Sequence, residues 1–136
     1  MARKISLAEA YWTYGCVKRR LASWSARSKD GKTVAISMWI DGINNKATPI
    51  TYGSIGEEDI SIWEWRQGNK DRIEDLKWAR EHCLGRLRVI ITIPKDFDAK
   101  TREVEDCIVR PDLIMHLDEL NEETGEFRAT LIEGTY

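Results

Sequence analysis

Asn69-Lys70-Asp71-Arg72-Ile73-Glu74-Asp75-Leu76-Lys77-Trp78-Ala79-Arg80-Glu81-His82-Cys83-Leu84-Gly85 is followed, one arginine later, by Leu87-Arg88-Val89-Ile90-Ile91-Thr92-Ile93-Pro94. The first part reads as a helix over about 70–84. Asn69 is placed to cap it, and Ile73, Leu76, Arg80, Cys83 and Leu84 fall on one stripe with Ala79 at its edge. Gly85 stops it. Trp78 lies off that stripe. The second part is β-branched and almost continuously apolar, the pattern of a central strand buried on both faces.

Upstream, Arg19–Ser28 and Lys32–Asp41 flank Lys29-Asp30-Gly31. Asp-Gly supplies the positive φ that a hairpin turn needs. The second arm alternates Val34, Ile36, Met38 and Ile40 against Ala35, Ser37 and Trp39. The first alternates Arg20, Ala22, Trp24 and Ala26 against Leu21, Ser23, Ser25 and Arg27. Trp24 and Trp39 share a face in one of the two registers and not in the other, since a one-residue slip inverts every side chain. Further upstream, Ser6-Leu7-Ala8-Glu9 has the pattern of a capping box. It opens a short helix over about Leu7 to Tyr14 whose inner face would be Leu7, Ala10, Tyr11 and Tyr14, with Gly15 ending it.

Residues 42–68 read as irregular, punctuated by glycines, asparagines and Pro49, with one short strand at Pro49–Tyr52 and an aromatic piece at Ile60–Trp65. Downstream of the central strand, residues 95–112 are polar, and Arg102–Val109 leans to strand. Leu113–Leu120 and Phe127–Glu133 form a second hairpin around Asn121–Gly125, with Leu113, Met115 and Leu117 facing inward and Gly125 left-handed. These elements give an α+β fold: a mainly antiparallel five- to seven-stranded sheet or small open barrel, one long helix (about 70–84) and a short N-terminal helix. The 136 residues suit a single domain, 1–136.

The formal net charge of −2 supplies no global field toward nucleic acid or anionic membrane. The charge is unevenly spread. Residues 1–32 hold eight Lys/Arg against Glu9 and Asp30, whereas the last stretch is rich in Asp and Glu. That pattern gives either a bipolar surface or two ends that pair across the sheet. Three cysteines without short spacing (Cys16, Cys83 and Cys107) fit neither a disulfide framework nor a zinc knuckle. No window approaches a membrane span, and residues 1–6 lack the apolar region of a secretory signal. The expected location is the cytoplasm.

Catalytic signatures are scarce. Glycine-rich phosphate loops and the G-x-S-x-G elbow do not occur. His82 and Cys83 are adjacent and point about 100° apart on a helix, so no metal site and no cofactor is expected. A thiol–imidazole pair of Cys83 or Cys107 with His116 has no local support. Asp112, Asp118 and Glu119 read as a solvated hairpin rim.

One constellation remains. Tyr11, Trp12, Tyr14, Lys18, Arg19, Arg20, Trp24 and Arg27 interleave aromatic with basic side chains, the combination needed to stack on bases and hold phosphate. The resulting expectation is a small non-enzymatic binding module for nucleic acid. Its candidate contacts are Lys18, Arg19, Arg20, Trp24, Arg27, Trp39, Trp63 and Trp65. The alternatives are a protein-interaction module or small regulator, self-association included, and a hydrolase or nuclease with a dispersed site. The same residues also fit a plain packing role, with tryptophans in the core and arginines on a solvated strand face.

Overall fold

A computed structural model describes residues 4–18, 23–53, 67–99 and 102–136. Helix α1 (Leu7–Thr13) precedes the short strand β1 (Cys16–Val17), β2 (Ser25–Ser28) and β3 (Val34–Trp39). A 3-10 turn at Ile40–Gly42 leads to β4 (Ile43–Asn44) and β5 (Thr51–Gly53). Helix α2 (Gln67–His82), β6 (Arg86–Pro94), β7 (Val104–Leu120) and β8 (Phe127–Glu133) complete the order.

The eight strands form one open sheet in the order β1-β2-β3-β6-β7-β8-β5-β4. The β3–β6 pair is parallel and the others are antiparallel. The α+β class stands as read. The strand count rises from the expected five to seven to eight, because the two outermost strands are two residues long. The sheet does not close into a barrel.

Each helix covers one face. On the α2 face, Val34, Ile36 and Met38 of β3 and Leu87, Val89 and Ile91 of β6 meet Leu76 and Ala79, with Leu113, Met115, Leu117, Phe127 and Ala129 beyond. On the α1 face, Ala10 and Tyr11 pack on Cys16, Ala26, Ala35, Ile90 and Cys107. Strand β6 is therefore buried on both sides, as its sequence requires. The capping box forms: the Glu9 amide donates to the Ser6 hydroxyl at 3.1 Å, and the Glu9 carboxylate accepts from the Ser6 amide.

Three boundaries differ from expectation. Asn69 lies inside α2, fully buried, and its side-chain amide donates to the Thr124 carbonyl at 2.9 Å. It pins the β7–β8 turn, where Gly125 has φ +86° and a Cβ would meet Asn69 Oδ1 at 2.1 Å. At the other end of α2, Leu84 (φ 57°) and Gly85 (φ 74°) reverse the chain, so Leu84 faces solvent instead of joining the apolar stripe. Residues 104–120, read as two pieces, are one strand. Pro111, which cannot donate to a ladder, falls in the bulge between the Ile90–Val109 and Arg88–Ile114 pairs.

Candidate functional site

The first hairpin is the element on which the candidate residues converge. Its register pairs Ala26 with Ala35 and Arg27 with Val34. That points Ser25 and Arg27 at the α2 face and Ala26 at the α1 face. Ser23, Ser25 and Arg27 then recur every second residue, about 6.6 Å apart along extended chain. Asp71 and Asp75 recur four residues apart on α2, a rise of about 6 Å. The two spacings match, and the chains zip together.

The Ser23 hydroxyl donates to Asp71 Oδ2 at 2.6 Å, and Gln67 Nε2 donates to Asp71 Oδ1 at 3.1 Å. The Ser25 hydroxyl donates to Asp75 Oδ2, while Arg27 Nε lies 3.1 Å from Asp75 Oδ1. Ser23, Ser25, Asp71 and Asp75 are all buried. A buried carboxylate is tolerated only when its oxygens accept hydrogen bonds or face a cation, and both carboxylates meet that condition.

The seam continues to the hairpin tip. The Arg27 guanidinium stands 4.6 Å from the Trp78 ring centroid. Trp78 Nε1 donates to the Gly31 carbonyl at 2.7 Å. Gly31 has φ +73°, and a Cβ there would meet the Trp78 ring at 2.9 Å. Inside the turn, Asp30 accepts from the Ser28 hydroxyl at 2.6 Å and the Lys32 amide at 3.0 Å. These bonds, the Ser28 hydroxyl first, hold the Asp30 carboxyl below its ordinary range. Trp78, unassigned by the apolar stripe, thus carries the turn. Its ring also stacks with His82, centroids 3.9 Å apart.

The candidate residues do not form one platform. Trp24 faces the buried Arg72 at 5.0 Å, and Arg72 also lies 4.8 Å from the Phe127 ring. Trp39 faces Arg102 at 5.3 Å, and Arg102 bonds both oxygens of Asp41 at 2.7 Å. The two indoles therefore engage different arginines. Arg27 is committed to Asp75 and Trp78. Lys18 is partly buried, and that burial lowers its ammonium pKa. Arg19, Arg20, Trp63 and Trp65 lie outside the described residues.

Elsewhere, four carboxylates of the acidic terminal hairpin meet cations of α2, β6 and its own strands, and Lys4 of the basic N-terminal stretch pairs with Glu105 at the start of β7. Glu122 meets Lys77 and Arg80, Glu133 meets Arg86, Glu119 meets Arg128, and Asp112 meets Arg110. Burial pushes the Cys16 and Cys107 thiols up to about 11, which works against thiolate formation. His116 Nδ1 pairs with Asp118 at 3.0 Å.

The polar seam is the feature an apolar reading of the sequence misses. Gly68, Asn69, Asp71, Arg72, Asp75, Leu76 and Ala79 are the buried residues of α2. They keep helical spacing, but most are polar. The available signal was the coincidence of Ser23-x-Ser25-x-Arg27 with Asp71-x-x-x-Asp75. Comparison with protein-family models, with curated proteins and with solved structures finds no match to this chain.

Proposed function

We propose that the chain is a non-enzymatic nucleic-acid-binding module that contacts phosphate through the tip of the β2–β3 hairpin. One observation supports this reading above the others. Lys29 and Lys32 are exposed, on a turn held rigid by Ser28, Asp30 and Trp78. Arg27, Arg80, Arg86, Arg102, Arg110 and Arg128 each have a carboxylate partner. Asp30 is the turn's own acid, and its hydrogen bonds run to the turn itself. A rigid turn backbone carrying two exposed ammonium groups, one of them, Lys32, near Asp30, gives electrostatic contact with phosphate at a reduced backbone ordering cost.

The test is oligonucleotide affinity as a function of salt. Lys29→Ala/Lys32→Ala should flatten the slope of log affinity against log salt by about 1.4 for a single strand. An unchanged slope would overturn the assignment.

A second reading, a protein partner or self-association, is favoured by one feature. Trp12 (68% exposed) and Val17 (61%) flank the Gly15 turn beside β1. Exposed aromatics of this kind are enriched at interfaces. Light scattering of Trp12→Ser against the unaltered chain separates this reading: a loss of association supports it, and monodisperse monomer in both removes self-association.

A further inference from the structure

The described hairpin tip has a ring as well as charge beside it, and this bears on the kind of nucleic acid it fits. Trp78 is fixed by its bond to the Gly31 carbonyl and by the Arg27 guanidinium, and it holds the His82 ring at 3.9 Å with an interplanar angle of 35°. His82 itself is exposed at the end of α2. Cys83, the next residue, places its thiol 3.6 Å from the same Gly31 carbonyl. The exposed His82 is thus backed by the Trp78 ring and flanked in sequence by Cys83, and both of those side chains touch the Gly31 carbonyl of the turn that bears Lys29 and Lys32.

We infer that His82 is the base-stacking platform of the phosphate site proposed above, so that the ligand is single-stranded nucleic acid with an unpaired base laid on the imidazole and its phosphates on Lys29 and Lys32. The inference rests on that functional reading. A ring already packed on Trp78 loses little rotamer freedom when a base covers it. Stacking also demands a base free of its duplex neighbours, which a paired strand does not offer. The helix packed directly against the turn favours contact with one strand over insertion of the hairpin into a groove, because the ribbon does not stand clear of α2.

The experiment compares three probes of equal length at low salt: a thymidine strand, an abasic strand and a duplex. The unaltered chain should bind the thymidine strand roughly tenfold more tightly than the abasic strand. His82→Ala should remove that preference and leave abasic binding unchanged, whereas His82→Tyr, which keeps a flat ring, should retain it. Lys29→Ala/Lys32→Ala should weaken both strands alike. Equal affinity of the unaltered chain for thymidine and abasic strands, or tighter binding of duplex, would overturn the stacking role while leaving the phosphate contact standing. Failure to bind any probe at low salt would overturn both. A His82→Ala chain that loses abasic binding together with its helical circular dichroism is replaced by His82→Tyr, and loss of the base preference in that folded variant counts against the role.

Discussion

The two helices dock on opposite faces of the same sheet by different means. Helix α1 is held mainly by the burial of apolar groups: Ala10 and Tyr11 share one buried cluster with Ala26, Ala35 and Ile90 of the sheet. Helix α2 combines the apolar contacts of Leu76 and Ala79 with a ladder of buried carboxylates and hydroxyls. Apolar contact is non-directional and sets how closely two surfaces approach. Hydrogen bonds between fixed donors and acceptors are directional and set their relative position. On the α1 side the directional bonds sit at the helix ends, Tyr14 to the Val89 carbonyl and the Ile5 amide to Asp106, whereas the α2 face fixes the first hairpin along its length, from Ser23 to Gly31. The hairpin tip gains its rigidity from that second kind of docking.

The comparison breaks hardest at Asp75. Asp75→Ala leaves Ser25 unpartnered there and Arg27 without its carboxylate, and should cost about 3–5 kcal/mol in denaturant-induced unfolding. Ser25→Ala removes one donor from the same carboxylate and should cost about 1–3 kcal/mol. The two substitutions touch one interaction, so the double variant should show a coupling of about 0.5–3 kcal/mol; simple additivity would mean that the ladder is not a unit.

A smaller effect separates surface pairs from the seam. Arg102 bonds both oxygens of Asp41 and holds its carboxyl below the usual range. The folded value lies below the unfolded one, so this contribution is complete above about pH 4 and fades as pH falls through the depressed value. Solvent exposure of the pair keeps it small. Asp41→Asn should therefore blunt the acid loss of stability slightly and leave neutral-pH unfolding nearly unchanged. The smallest effect belongs to the α1 face. The Tyr11 hydroxyl is buried, and burial raises the phenol pKa well above its ordinary value, with Ser37 acting against that rise. Its hydroxyl makes no hydrogen bond of normal geometry among the described residues. Tyr11→Phe should cost no stability in denaturant-induced unfolding, because removing such a group relieves a desolvation cost. A large loss there would erase the contrast between the two faces.

Much of this architecture is legible where local chemistry decides the structure. The Ser6–Glu9 capping box, the Asp30-Gly31 turn, the doubly buried run at Leu87–Ile93 and the left-handed Gly125 all follow from short patterns, and all are present. Strands β1 and β4 are illegible because two residues carry no periodicity. Pro111 reads as a break, yet a bulge accommodates it within β7. The surroundings of the candidate residues were less legible. Aromatic and basic side chains do interleave, but Trp24 and Trp39 face Arg72 and Arg102, which the chain supplies from elsewhere. Such long-range pairings leave no mark in a local window. The Asp71–Asp75 spacing was visible but lay on a helix face that hydropathy assigns to water.

Amide hydrogen exchange in the first hairpin tests most directly whether the α2 seam holds the tip. The Ser28, Gly31 and Thr33 amides donate to the Thr33 carbonyl, the Ser28 carbonyl and the Ser28 hydroxyl. In the unaltered chain these amides should be protected, and in Asp75→Ala they should lose markedly more protection than the central-strand amides of Val89 and Ile91. Equal loss in the hairpin and in β6, or hairpin amides that exchange freely before any substitution, would contradict the account.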